Sequence, residues 1–373
     1  MNTLKNNPLN DRMKRDYLVW LKEAKQRSAT TVEQVRHAID RLEVYNDYKD
    51  FGTFNKEQAR AFKQALLETK NQRSGKTISI STVHHTLQAI KDFLAWLHEK
   101  PRYGRRIILS DIAFLNLTKG EERQARTSTP RKYASLQEYR TALFAMPTDT
   151  EIQRRDQAIM ALLLLTCMRD AALISLKLKH IDVARKYVFQ DPRQVKTKFS
   201  KAIETFFYPV GDDVIAILHE WAQFLIIEKG FGDDDPLFPK TINGHDAHQN
   251  FIPIGIGREH WTKANHVRVL FKSAFERVGM PYVNPHSIRN TLTQFAYTLK
   301  LSPEEFKAWS QNMGHDNPQT TYGYGQVSIE RQAEIIGRLT TKPTSALPDP
   351  SIAEQIAELV ARKLGHNQTK TLD

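Results

Sequence analysis

A chain of 373 residues is longer than one hydrophobic core usually organises, so the sequence predicts two domains. Its formal charge of +12 is concentrated near the front, because residues 1–132 hold 26 Lys and Arg against 15 Asp and Glu. This asymmetry favours a polyanionic partner over a basic surface that only maintains solubility, since clustered cations neutralise phosphates and release counterions.

Two classes of protein are excluded by the composition. Cys167 is the one cysteine of the sequence, so an intramolecular disulfide cannot form, as is typical of proteins in a reducing cytoplasm. The longest apolar run, residues 158–165, is too short to span a membrane, and the first eight residues lack the apolar centre of a signal peptide. We therefore expect a cytoplasmic protein with no membrane partner.

Residues 1–99 predict four helices and no strand. The first covers 11–25 and the second starts at 28–31. The third follows Asn55, a residue suited to an N-cap, and the fourth carries an apolar stripe between residues 83 and 97. We expect a small helical bundle whose outward Lys and Arg side chains face either solvent or a phosphate backbone.

A basic segment follows the bundle. Residues 100–132 contain many Lys and Arg with few apolar residues between them, and Thr127-Ser128-Thr129-Pro130 lies near the end. This composition predicts an interdomain linker that lies along a duplex as a basic strap between two domains.

The rest of the chain is predicted to be helical apart from one hairpin. Residues 156–167 form an apolar helix that leads directly into Arg169. Two β-rich segments, 186–190 and 204–210, flank a lysine-rich turn and predict an antiparallel hairpin. Further helical segments are expected at 214–228, 261–278, 286–299 and 303–312. The expected fold is mainly α with a small antiparallel β-sheet.

Two arginines in the second half are suited to phosphoryl transfer. Attack of a phenol on a DNA phosphodiester needs cations for the non-bridging oxygens, an acid for the leaving 5′-oxygen and a hydrogen-bond partner near the phenol. Guanidinium groups bind phosphate oxygens bidentately and remain charged at any relevant pH. We therefore assign Arg169 and Arg289 to the phosphate.

A phenol and two imidazoles complete the pattern. His286 lies three residues before Arg289 on a predicted helix, so both side chains emerge from one face. His315 follows a glycine and is assigned a hydrogen bond to the phosphate. Tyr324, nine residues later, is assigned as the nucleophile that bonds covalently to phosphorus, and Tyr322 is the alternative phenol.

A lysine in the hairpin turn is the candidate acid. Lys196 is assigned to protonate the leaving oxygen, and Lys198 and Lys201 are the alternatives. This chemistry requires no metal and no cofactor. His245 and His248 lack further ligands at metal-binding spacing, so we interpret residues 244–250 as a polar loop.

These residues, taken in chain order, resemble the tyrosine recombinase (phage integrase) family, and the resemblance covers most of the chain. The matching segments are Thr166 to Leu176 around the first arginine, Lys196-Thr197, His286-x-x-Arg289, Gly314-His315, Thr320-Thr321 and Tyr324. One departure is Ala172, which stands where the family usually has an acidic residue, and Asp170 is a candidate substitute.

The resemblance implies a domain plan. It consists of a helical core-binding domain that clamps DNA at 1–99, the linker at 100–132 and an α+β catalytic domain at 133–340. A tail at 341–373 contains an amphipathic helix at 348–365, which docks either on its own domain or on a neighbouring protomer.

The resemblance also implies a function. Family members cleave one strand of double-stranded DNA at a time through a 3′-phosphotyrosine intermediate, within a homotetramer on paired recombination sites. The expected task is integration or excision of a mobile element. A type IB topoisomerase and a noncatalytic DNA-binding regulator on the same fold are the alternatives.

Overall fold

The structure, a computed structural model, describes residues 6–72, 74–126, 132–197, 200–246, 248–325 and 329–341. The chain divides into two compact units, Met1–Thr129 and Pro130–Asp373, each with its own buried core. Lys198 and the amphipathic helix expected at 348–365 lie outside the described residues. Among the described helices, none is long and apolar enough to cross a membrane.

The first unit is a helical bundle, as the sequence predicts. Its long helices are α1 (Pro8–Glu23), α2 (Ala29–Tyr45), α3 (Lys56–Glu68) and α4 (Ile80–His98). Each begins at a polar N-cap whose side chain accepts a hydrogen bond from a first-turn N–H: Asn7, Ser28, Asn55 and Ser79. The apolar stripe of α4 is buried at the centre of this core.

The segment that we predicted as a linker differs from that prediction over residues 100–126. Two short helices form here, α5 (Leu109–Ile112) and α6 (Lys119–Arg126), and α6 packs against α4. Tyr103 and Leu115 are buried in the core of the bundle. The prediction gave weight to the arginines and overlooked the apolar residues of 107–117, of which Ile107 and Ile112 are also buried in this core.

The second unit is built around α8 (Glu151–Thr166), in which residues 158–165 are all buried. Eight other helices are described in this unit: α7 (Leu136–Phe144), α9 (Asp170–Leu173), α10 (Asp212–Gln223), α11 (Asn265–Arg277), α12 (Ile288–Thr298), α13 (Pro303–Asn312), α14 (Pro318–Tyr322) and α15 (Ile329–Thr341). A helix that is apolar on all sides is buried at the centre of its unit, so other elements pack around α8.

A three-stranded antiparallel sheet follows α9. The strands β1 (Ile181–Asp182), β2 (Tyr187–Gln190) and β3 (Ile203–Phe206) lie in that order, and β2 and β3 form the predicted hairpin. Alternate residues of β3 are buried, so one of its faces packs on the core and the other faces outward.

A second hairpin is formed by β4 (Thr241–His245) and β5 (Phe251–Ile256), so the prediction of a polar loop at 244–250 is wrong at both ends of that range. Its strands are mostly exposed on both faces, so the sequence shows no alternation of buried and polar residues. The base of the hairpin is anchored by Glu151, whose carboxylate accepts a hydrogen bond from the backbone N–H of Ile256 at 2.8 Å.

Candidate active site

Arg169 is presented by a sharp turn between α8 and α9. Cys167 ends α8 in the left-handed region (φ 44°, ψ 28°), a conformation that few residues other than glycine adopt. The chain therefore reverses within two residues, and Arg169 becomes the N-cap residue of α9 with extended backbone angles. Its side chain is half-buried beside Arg289.

Arg289 and His286 are held by a capped turn at the start of α12. The Asn284 side chain accepts a hydrogen bond from the backbone N–H of His286 at 3.0 Å. The Ser287 hydroxyl donates to the Asn284 carbonyl at 2.6 Å and contacts the Tyr139 hydroxyl at 2.9 Å. Arg289 follows in the first turn of α12 and is 2% exposed.

His315 is positioned by contacts between α13 and β3. The Asn312 side chain accepts from the N–H of Phe206 at 2.7 Å and donates to its carbonyl at 2.8 Å. The chain then turns at Gly314, whose φ of +76° favours a residue without a Cβ atom. His315 is buried immediately after this turn.

Tyr324 lies against both histidines. Its hydroxyl is 3.3 Å from His286 Nε2, and its ring is parallel to the His315 ring, with 5.5 Å between centroids. The Asn290 side chain donates to the Tyr324 carbonyl at 2.9 Å, which ties this tyrosine to α12. The alternative phenol, Tyr322, is instead exposed and stacks on Phe306 at 4.8 Å.

The electrostatic environment of these side chains is strongly positive. Burial and the charge of Arg289 hold the pKa of Arg169 below its ordinary value. Burial, followed by the charges of Arg289 and Arg169, lowers the pKa of His315 to about 4, so His315 is neutral at pH 7. Neither arginine forms an ion pair with a carboxylate in the described part of the chain. Two cations without a carboxylate partner make a site suited to an anion.

The candidate lysine is not brought against these five side chains. Lys196 is exposed, its backbone N–H donates to the Ser175 hydroxyl at 2.9 Å, and its charge acts on His260. Lys201 forms an ion pair with Asp316 and contributes to the lowered pKa of the neighbouring His315. A lysine on a hairpin turn has four rotatable bonds, so the sequence fixes its place in the chain but not the place of its ammonium group.

The departure at Ala172 has a structural counterpart. Ala172 is buried in the core, where it provides no carboxylate. Asp170 is largely buried, and burial raises the pKa of its carboxyl, while the charges of Arg268 and Arg289 act in the opposite direction. Asp170 therefore lies within electrostatic reach of Arg289.

Three contributors to the site were not identified from the sequence. Thr321 contacts His315 Nδ1 at 2.8 Å and donates to Ser310 at 2.6 Å, and Asn290 holds the backbone of Tyr324. Thr321 belongs to the Thr-Thr pair that matches the family motif, which was the available signal. Ser310 and Asn290 are ordinary polar residues on helices, and their roles depend on tertiary contacts.

The family model for the phage integrase family matches residues 135–331. These residues include all six site candidates, five of which are brought together, and they make up more than half of the chain. The chain belongs to the phage integrase family. It is a tyrosine site-specific recombinase, an enzyme that binds and recombines DNA.

Curated relatives agree over nearly the full length. The chain is 23% identical over 321 residues to tyrosine recombinase XerC of Xylella fastidiosa (strain 9a5c), covering 86% of this chain and 94% of the relative. It is 22% identical over 329 residues to tyrosine recombinase XerC of Xanthomonas axonopodis pv. citri (strain 306), covering 86% and 93%.

Solved structures show the same fold. A structure of XerH site-specific recombinase bound to palindromic difH substrate, a post-cleavage complex, matches with a TM-score of 0.58 and 12% identity over 88% of this chain and 83% of that chain. A lambda integrase(75–356) dimer bound to a COC′ core site matches with a TM-score of 0.57 and 14% identity over 86% and 99%. The prediction of a mainly α fold with small antiparallel sheets is confirmed.

Proposed function

We propose that this recombinase cleaves and rejoins double-stranded DNA through a 3′-phosphotyrosine bond to Tyr324, in the integration or excision of a mobile element. The contact between the Tyr324 hydroxyl and His286 Nε2, at 3.3 Å, carries the proposal. It places a phenol beside a proton acceptor and within electrostatic reach of the Arg169 guanidinium. Tyr322, exposed and packed on Phe306, has no comparable surroundings.

The proposed reaction transfers the scissile phosphate to Tyr324 and then back to a DNA strand. Arg169 and Arg289 bind the non-bridging oxygens of the scissile phosphate, where negative charge increases in the transition state. The Tyr324 oxygen bonds to phosphorus as its proton passes to His286 Nε2, and the bond from phosphorus to the 5′-oxygen breaks. Lys196 provides the proton for that oxygen after its exposed side chain turns towards bound DNA. Attack by a 5′-hydroxyl on the phosphotyrosine reverses the step and rejoins the strand.

We assign DNA clamping to the first unit and the chemistry to the second. The clamping role rests on the excess of Lys and Arg in residues 1–132, which suits contact with phosphates. The rest of the predicted linker, 127–132, lies almost entirely outside the described residues. A homotetramer on paired sites and docking of the tail at 341–373 remain part of the proposal.

The experiment that tests the nucleophile uses nicked duplexes that carry the recombination site, on which cleavage releases a short strand and traps the protein. Wild type and Tyr322→Phe should form a DNA–protein adduct on denaturing gels, and Tyr324→Phe should form none while it binds the duplex normally. A 5′-end label on the cleaved strand should remain with the adduct, and the released strand should carry a 5′-hydroxyl.

Two results would contradict the proposal. An adduct that persists in Tyr324→Phe and disappears in Tyr322→Phe would show that Tyr322, and not Tyr324, is the nucleophile. Sequence-specific binding without any adduct would favour the noncatalytic regulator. The biological task is tested separately: paired sites on one plasmid report excision, and sites on two plasmids report integration.

A further inference from the structure

The backbone that carries Tyr324 lies directly against α12. Gly325, the next residue, is buried. The N–H groups of Tyr324 and Gly325 donate to the carbonyls of Thr321 and Tyr322 in α14, at 3.0 and 3.1 Å. On the opposite side, the Asn290 side chain of α12 donates to the Tyr324 carbonyl. The chain at 324 and 325 is therefore held between the end of α14 and one face of α12.

A side chain at position 325 would have no room. A Cβ atom added to Gly325 would lie 2.6 Å from Thr293 Cγ2, 2.6 Å from the Tyr297 hydroxyl oxygen and 2.7 Å from Tyr297 Cε2. Carbon atoms in contact are normally about 3.5–4.0 Å apart. The φ of Gly325 lies outside the left-handed region, so φ does not require glycine here. The requirement comes instead from the close approach of the backbone to α12.

The atoms that an added Cβ would meet cannot move aside at low cost. Thr293 is 0% exposed, and its hydroxyl donates to the Arg289 carbonyl at 2.8 Å. Rotation of this β-branched side chain would break that hydrogen bond. The Tyr297 ring is stacked on Phe306, with 5.8 Å between centroids and 4° between the ring planes. We therefore expect the chain at 324 and 325 to move away from α12.

Such a movement would act on the reaction through the phenol. The Tyr324 hydroxyl lies 3.3 Å from His286 Nε2, and the Tyr324 carbonyl lies 2.9 Å from Asn290 Nδ2. Asn290 follows Arg289 in the first turn of α12. A shift away from this helix would lengthen both contacts and would move the phenol relative to the phosphate that Arg289 is proposed to bind.

We propose that Gly325 is a positioning residue for the Tyr324 phenol. Because Gly325 has no side chain, the backbone at 324 and 325 packs on Thr293 and Tyr297, and this packing sets the distance from the phenol to His286. The role rests on the proposed function, since it concerns how the proposed nucleophile is presented to the phosphate.

Two glycines on either side of Tyr324 provide a matched pair of variants. Gly325→Ala places a methyl group against α12. Gly323→Ala makes the same change at an exposed position, where an added Cβ atom would lie 3.3 Å from its closest contact, the Thr320 carbonyl oxygen. We expect single-turnover cleavage of the nicked duplex to fall about 10-fold or more in Gly325→Ala, because small displacements of a reacting group are costly. Gly323→Ala should cleave at the wild-type rate, and both variants should bind the duplex with wild-type affinity.

Removal of the opposing atoms should restore cleavage, which a general loss of stability would not allow. Thr293→Ser removes Cγ2 and retains the hydroxyl that donates to Arg289, and Tyr297→Leu removes Cε2 and the phenol oxygen. The triple variant, which combines these two changes with Gly325→Ala, should cleave nearly as fast as the double variant that retains Gly325. Cleavage that stays slow in the triple variant, or that falls equally in Gly323→Ala, would overturn the proposal.

The position of the phenol is also measured without DNA, which separates this proposal from the proposed function. In protein with carbon-13-labelled tyrosine rings, the NMR signals of Tyr324 are identified by their loss in Tyr324→Phe. Its ring lies parallel to that of His315, with 5.5 Å between centroids, so a displaced ring gives shifted signals. The signals should shift in Gly325→Ala and stay in place in Gly323→Ala. Unchanged signals or wild-type cleavage in Gly325→Ala would contradict the positioning role.

Failure of the two proposals is distinguishable. If wild type forms no adduct, the proposed cleavage by Tyr324 fails, and the NMR signals still decide whether Gly325 sets the position of the ring. If Gly325→Ala does not fold, the triple variant decides. Recovery of both folding and cleavage in the triple variant supports the role, whereas a triple variant that stays unfolded, or that folds without cleaving, contradicts it.

Discussion

At the scale of single residues, the site combines buried positive charge with a neutral imidazole. Burying a guanidinium without a carboxylate costs free energy, and Arg289 offsets part of that cost through its hydrogen bond to His315. An anion bound by Arg169 and Arg289 would offset the rest of that cost, so we expect bound phosphate to stabilise the protein.

The lowered pKa of His315 predicts an acid-dependent loss of stability. An unfolded histidine takes up a proton near pH 6.5, whereas folded His315 resists until about pH 4. The contribution of neutral His315 to stability is fully present above pH 6.5 and is lost as the pH falls towards 4. Urea unfolding at a series of pH values should show a drop on the order of 2 kcal/mol between these limits that His315→Gln lacks. Parallel curves for the two proteins would contradict the assignment.

All six candidate site residues were predicted from residue type, spacing and the family resemblance, and the structure brings Arg169, Arg289, His286, His315 and Tyr324 together. The sixth residue is Lys196. Spacing predicts its place in the chain but not the position of its ammonium group, because that group lies at the end of a flexible side chain. The hydrogen-bond chain through Thr321 and Ser310 depends on how α13 and α14 meet, which no local pattern encodes.

At the scale of elements, short connections carry the site. The Asn312 side chain links α13 to β3. It forms hydrogen bonds with the backbone N–H and carbonyl of Phe206, as a neighbouring strand would. The ends of helices were predictable because caps have local signatures, as at Ser302 and Glu305 before α13. The second hairpin was not predictable, because its strands are mostly exposed on both faces. The packed part of residues 100–126 was missed, because its apolar residues stand among many arginines.

Loss of the Asn312 side chain should weaken both stability and cleavage. Asn312→Ala removes two hydrogen bonds to the backbone of Phe206 and leaves those backbone groups without their partner. We expect a loss of about 1–3 kcal/mol in the free energy of unfolding, together with slower cleavage because His315 follows three residues later. Gln311→Ala, at the neighbouring exposed position, is the control, and equal effects in the two variants would contradict the role of this contact.

At the scale of the whole molecule, the separation of charge predicts a strong salt dependence of DNA binding. Nearly all of the net charge lies in residues 1–132. If this charge contacts phosphates, the affinity of the full chain for its duplex should fall about 1000-fold or more between ~50 and ~200 mM salt. Tyr324→Phe should follow the same line, because it changes chemistry and not charge. An affinity that hardly responds to salt would remove the clamping role of the basic residues.

Asn290 fastens the segment of Tyr324 to the helix that carries Arg289, so one polypeptide supplies both the proposed nucleophile and a proposed phosphate-binding arginine. We therefore expect that two inactive variants do not complement each other. A mixture of Tyr324→Phe and Arg289→Lys proteins should cut no better than either alone, whereas recovery of cutting in the mixture would mean that the hydroxyl and the guanidinium come from different subunits. If the mixture stays inactive, each DNA strand is cut by the protomer bound to it. The number of active protomers in an assembly then sets the number of strand breaks.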